Sequence, residues 1–245
     1  MTAMPAKKTA TEKPRSISAK KASKKRAPET DELAPQQERS RESLRRMRKA
    51  ATEVLGQHGL DGTTIPRIAA HAGLTPGAIY RRFSDKDALL ESVILDIYEN
   101  QEEHLRNGLT QEMAHQIPLP VFVNQLVHSL VVSFRTNARL LYAMRQFVLS
   151  KQGTDFWKKI TRLEKRFNNR LVGLLMTNAQ AIPHPEPRVA VSLGLTMMIS
   201  TLQEVIVTIP DPNYWKDSLP KNDQALRKEM TRAFLAYLGV PAPMK

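Results

Sequence analysis

Residues 72–90 read AGLTPGAIYRRFSDKDALL, and the start and stop signals in this run decide the fold. Gly73 is placed to end one helix in the left-handed conformation that side chains resist. Thr75 and Pro76 then start another: the threonine hydroxyl caps free amides, and the proline lacks an N–H only where no carbonyl would receive it. Ile79 and Phe83, four residues apart, turn to a core, so the helix expected over 75–83 leaves Thr75, Pro76, Gly77, Ala78, Tyr80, Arg81 and Arg82 outward. Ser84 opens S-D-K-D, which reads as a capping box ahead of a long helix carrying Leu89, Leu90, Val93, Ile94 and Ile97 to about Asn107.

Working back from the quoted run, IPRIAAHAG predicts a short helix burying Ile65, Ile68, Ala69 and Ala72. Thr64 is its expected N-cap, with the hydroxyl on the amide of Arg67, and Pro66 falls in the first turn. Before it, Leu44, Met47, Ala51, Val54 and Leu55 recur at helical spacing from about Gln37 to His58, where Gly59 is available as a cap. Two short helices joined by a glycine turn form a helix-turn-helix, whose second helix presents its N-terminal side chains to the major groove of DNA. Small Gly77 and Ala78 permit close approach, Arg81 can donate two hydrogen bonds to guanine, and the Tyr80 hydroxyl can donate to a phosphate. Thr64, Arg67 and Lys86 lie at or near helix N-termini, which favour phosphate. Arg82 reads equally well as an ion-pair partner of Asp85 or Asp87.

Charge supports a polyanion partner. The 245 residues carry a net +13, of which residues 1–30 hold +7 and residues 31–83 a further +3. Residues 1–35, Lys-, Ala- and Ser-rich with little to bury, are expected to form a disordered basic arm. With no cysteine, disulfides and thiolate chemistry are excluded. No apolar run reads as long enough to span a bilayer, so a soluble, cytoplasmic chain without membrane association is expected.

The pattern T-x-x-x-I-A-x-x-A-G-L-T-x-G-x-I-Y-x-x-F-x-x-K-x-x-L-L, from Thr64 to Leu90, resembles the DNA-binding domain of the TetR family. The resemblance covers about residues 37–90 and implies an all-α fold: a three-helix helix-turn-helix head at 36–83, a linking helix at 84–107, and a larger ligand-binding and dimerisation domain at 108–245. It implies DNA contacts from Thr64, Arg67, Thr75, Pro76, Gly77, Tyr80, Arg81 and Lys86 on a palindromic operator. Pro76 departs from the polar residue many members carry, so base bonding is not expected from its side chain. The implied activity is transcriptional regulation, as a repressor released by a small, largely apolar effector. An effector-independent or architectural DNA binder is the alternative.

Beyond the head, boundaries at Pro118, Pro120, Gly153, residues 183–187 and IPDPNYW predict helices near 120–136, 138–150, 154–180, 187–208 and 221–238. Candidate effector walls are Phe122, Leu126, Phe134, Met144, Phe147, Trp157, Leu175 and Met197. His128, Gln203 and Glu204 stand out as polar groups on apolar helices. The last two helices are the expected homodimer contacts, where Gly194, Ser200 and Thr201 allow close approach. Glu112 and His115 have the E-x-x-H spacing of bundle iron sites but lack a second pair, so no metal, cofactor or enzymatic activity is expected.

Overall fold

The computed structural model describes residues 30–209, 211 and 213–241. Among these residues every regular element is helical: α1 (Thr30–Gly62), α2 (Ile65–Ala72), α3 (Pro76–Tyr80), α4 (Lys86–Gly108), α5 (Gln111–Gln116), α6 (Leu119–Ser150), α7 (Asp155–Leu175), α8 (Pro187–Gln203) and α9 (Asp223–Tyr237). Contacts divide the chain after Arg41, and the apolar clusters of the described residues lie in Glu42–Lys245. Most of the expected basic arm lies outside the described residues. Its last residues, 30–35, fall within α1, which begins at Thr30.

Helix α1 breaks at Gly59, whose φ of 67° and ψ of −174° belong to a region only glycine enters without strain. Thr63, fully buried, donates its hydroxyl to the Gly59 carbonyl at 2.6 Å and so closes the break. Three apolar clusters follow from the helical stripes. The first joins Met47, Ala51 and Val54 of α1 to Ile65, Ile68 and Ala69 of α2, Ile79 of α3, and Leu89 and Val93 of α4. The second packs Leu55 of α1 and Leu90 and Ile94 of α4 against Met144, Phe147, Phe156 and Ile160. Complete burial of side chains such as Leu55, Leu90 and Ile94 contributes about 1.5–3 kcal/mol each. Alternate faces of α4 thus serve both clusters, and α4 also runs along α7, with the Tyr98 hydroxyl donating to Glu164 at 3.0 Å and Glu102 near Arg170 at 3.8 Å. Burial, reinforced by the Glu164 carboxylate, raises the Tyr98 phenol above its ordinary range and keeps it a donor.

The third cluster gathers Phe122, Val127 and Val131 of α6, Leu171 and Leu175 of α7, Leu195 and Met198 of α8, and Phe234 and Leu235 of α9. The expected helices at 120–136 and 138–150 are one helix, α6, with a local break at Asn137 (φ −115°, ψ 16°) whose amide donates to Ser133 O at 3.0 Å. Helix α7 gives way to a 3-10 turn over Met176–Ala181, and α8 continues as a wide π turn over Glu204–Thr208.

That continuation corrects one expectation. Pro187–Thr208 is 22 residues and contains an 18-residue stretch of mean hydropathy 1.6, long and apolar enough by length and composition to cross a membrane. Its hydrophobicity has a packing use: Ala190, Val191, Leu195, Met198, Leu202 and Ile206 are buried in the bundle. Gly194 is used inward as well. A Cβ there would sit 2.8 Å from Cε2 of Phe234, so its smallness admits α9 of the same chain and not a second subunit.

Candidate nucleic-acid interface

The turn between α2 and α3 is built by backbone accounting at the end of α2. Gly73 has φ 63° and ψ 41°; its N–H bonds Ala70 O at 3.1 Å, and the Leu74 N–H bonds Ala69 O at 2.9 Å. This pair of bonds satisfies carbonyls that a helix end otherwise leaves open. Arg46 of α1 completes the set by donating to the carbonyls of Ala72 and Gly73, the latter at 3.1 Å. Sequence reading missed Arg46, which lies 27 residues before Gly73 and carries no local signal of its partner.

Both threonine caps form as expected. Thr64 is extended and accepts from Arg67 N at 3.4 Å; Thr75 is extended and accepts from Ala78 N at 3.3 Å. Pro66 and Pro76 occupy the first turns. The expected two-turn reader is shorter: α3 ends at Tyr80 and Arg81 is its cap residue, although Arg81 N and Phe83 N still bond Gly77 O and Ile79 O at 3.1 and 3.0 Å. The short element is held by one fully buried side chain, Ile79, with half-buried Ala78 and Phe83 against the same cluster.

The start of α4 corrects the capping box. The cap is Asp85, not Ser84: Asp85 Oδ1 accepts from Ala88 N at 2.8 Å, while the Ser84 hydroxyl donates to Asp85 Oδ2 at 3.1 Å. A carboxylate on a free amide at the positive helix end gains charge as well as a hydrogen bond, which a serine cannot match. The amide of Ala88, then the Ser84 hydroxyl, hold the Asp85 carboxyl below its ordinary range.

Thr64, Arg67, Thr75, Pro76, Gly77, Tyr80 and Arg81 are all exposed, and Tyr80 keeps 55% of its surface open. A Cβ on Gly77 would meet only Thr75 Oγ1, at 4.0 Å, so the space in front of it is clear. Arg67 donates to the Gly62 carbonyl, which ties it across the turn after α1. Arg82 is exposed but already engaged within the protein. Lys86 is half-buried at the first position of α4, in an open cleft of about 450 Å³ lined also by Asp85, Asp87, Ala88, Glu91 and Lys151. The Lys151 ammonium bonds Asp87 at 2.7 Å, so the start of α4 is fastened to the end of α6.

Residues 48–93 match the profile of bacterial regulatory proteins of the tetR family. The chain carries the DNA-binding head of the TetR family. The matched residues run from within α1 to the second turn of α4 and include the caps and turn described above. Over 159 residues the chain is 24% identical to the fatty acid metabolism regulator protein of Bacillus subtilis, covering 65% of this chain and 79% of that one. Among solved structures it is similar to a Mesorhizobium loti protein ascribed to the TetR family (TM-score 0.59, 20% identity, 81% of this chain and 97% of that chain). It also resembles the fatty acid degradation regulator FadR of Bacillus halodurans (TM-score 0.54, 23% identity, 78% and 96%). Both likenesses establish the fold behind the TetR-family head.

The eight expected effector walls are not brought together. Phe122 and Leu175 are buried in the α6–α9 cluster with Leu126 and Phe134 packed against it, whereas Met144, Phe147 and Trp157 belong to the cluster shared with α1 and α4. Met197 is 44% exposed on the outer face of α8 and walls neither. His128 and Glu204 are exposed, and Gln203 accepts from Arg145 at 3.1 Å. Of the Glu112–His115 pair, His115 Nδ1 lies 3.0 Å from Thr177 O, a packing contact between α5 and the 3-10 turn.

Proposed function

We propose that this TetR-family regulator acts as a dimeric repressor that leaves a palindromic operator when a small, largely apolar effector binds its C-terminal bundle. The observation that carries the reading is the exposed run Thr75–Arg81 on a helix whose other face is locked by Ile79. Tyr80 is the phosphate contact and Arg81 the base reader, with Thr64, Arg67, Thr75 and Lys86 placing the backbone. Pro76 and Gly77 contribute by shape.

Release is a shift between two subunit arrangements, only one of which matches the operator, so the effector acts through its difference in affinity for the two. Helix α4 is the connecting element, because it shares one cluster with the reader and another with α6 and α7. A relative named for fatty acid metabolism supports an apolar effector. The protein acts in the cytoplasm, without catalysis or a cofactor.

Selection of bound DNA from a random pool tests the reading. Enrichment of a palindrome whose half-sites lie one helical turn apart, about 34–36 Å, is the expected result. An unpatterned pool would replace the repressor with an architectural DNA binder.

A further inference from the structure

Helix α9 holds a polar pair where its core stripe should be apolar. Arg227, Thr231, Phe234 and Leu238 fall at i, i+4, i+7 and i+11, one face of the helix, and Phe234 and Leu238 are buried at 3% and 0% exposure. Thr231 on the same stripe is 6% exposed, and its hydroxyl has no hydrogen-bond partner among the described residues. The Nε of Arg227, one turn earlier, is likewise buried and unpartnered.

Two comparisons within the molecule mark these groups as open by arrangement. Hydroxyls elsewhere on the helices satisfy themselves on the carbonyl four residues back: Thr52 on Arg48 O at 3.0 Å, Thr196 on Ser192 O at 2.9 Å and Thr201 on Met197 O at 2.8 Å. Thr231 has the same option and does not take it. Arg48 also has a buried, unpartnered Nε, but its other nitrogens bond Asp96 at 2.8 Å and Ser92 at 3.0 Å. No such bonds anchor Arg227 among the described residues. The nearest acids on its own helix are committed elsewhere, Asp223 to Arg135 at 2.9 Å and Glu229 to Arg232.

Half-buried Arg227, with its Nε buried and unpartnered, and the buried Thr231 hydroxyl one turn on call for an acceptor with two oxygens. We propose that Arg227 and Thr231 form the polar end of a binding site for an amphiphile with a carboxylate head. This rests on the effector reading above and names the effector's chemical class. The guanidinium takes the carboxylate with charge-assisted hydrogen bonds, and the Thr231 hydroxyl donates to it. The apolar tail has half-buried partners in the same bundle, among them Leu126, Leu130, Phe134 and Met230, all packed on the α6–α9 cluster.

Calorimetric titration of the full chain with decanoate and with decan-1-ol tests the assignment. Decanoate should bind at least about tenfold tighter, the scale of a hydrogen bond to a charged group. Arg227→Gln should erase that preference while leaving decanol affinity unchanged, and Thr231→Val should weaken decanoate alone. Circular dichroism and binding to random DNA check that both variants fold. Equal affinity for the two probes, no binding of decanoate, or an undiminished preference in Arg227→Gln would overturn the site. Loss of the dimer in Arg227→Gln with decanoate binding intact would also overturn it, assigning Arg227 to a carboxylate of a second copy. Decanoate binding that depends on Arg227 but leaves operator affinity unchanged supports the site and overturns the effector reading instead.

Discussion

At Gly73 two demands coincide on one Cα. Its φ of 63° penalises any side chain, and a Cβ would stand 2.8 Å from the Arg46 guanidinium that closes the turn. Gly73→Ala should therefore destabilise the head by at least about 1–2 kcal/mol, the cost of a left-handed non-glycine residue. Urea unfolding measures this, and an unchanged midpoint would show that the turn relaxes freely. The reader is tested at the same scale. Arg81→Ala should cost about 1–3 kcal/mol at particular base pairs, whereas Lys86→Ala should weaken all sequences alike and flatten the salt dependence. Equal losses on operator and random DNA would remove Arg81 from base reading. Thr64 and Thr75 were legible from sequence because a cap bonds an amide three residues on. Arg46 was not, since its partner carbonyls belong to another helix.

Among the elements, the helices of the head were legible because each carries its own start and stop signal. The start of α4 was misread by one residue: Ser84 and Asp85 are both cap types, and only the geometry shows the carboxylate on Ala88 N. The choice has a consequence for pH. The folded Asp85 carboxyl lies below its ordinary value, so its stabilisation is present above the unfolded pKa of about 3.9 and is lost as pH falls through the folded value. Asp85→Ala should lower the melting temperature at pH 7, and the gap from the wild type should close below about pH 4. A gap independent of pH would reduce Asp85 to a neutral cap. The body was less legible, because alternate apolar residues of α6 serve different clusters and periodicity does not name the partner. Gly194 makes the same point. Its role is contact with Phe234, so Gly194→Ala should cost about 1–3 kcal/mol through overpacking, read in the unfolding of the whole chain.

For the whole molecule, the proposed dimer needs a contact surface, and the outer face of α8 is the candidate that the burial pattern leaves. With Gly194 turned inward, the residues left outward are Val189, Leu193 and Met197, exposed by 53%, 47% and 44% and spaced four apart along one side of the helix. Tyr237 of α9 is exposed as well, at 36%. A row of this kind on a helix whose opposite face is already buried is the expected contact of a twofold dimer, since each residue meets its symmetry mate's neighbours and the patch is self-complementary. On the proposed function, two copies joined there would present two heads to a palindromic operator. Leu193→Asp places a charge at the centre of that row without touching a buried side chain. The variant should therefore keep its helical content and melting behaviour but sediment as a monomer. Its operator affinity should fall steeply while binding to random DNA changes little, because each head and its basic residues remain intact. A Leu193→Asp chain that still sediments as a dimer would move the interface off α8, and one that unfolds would return the row to the core of a single subunit.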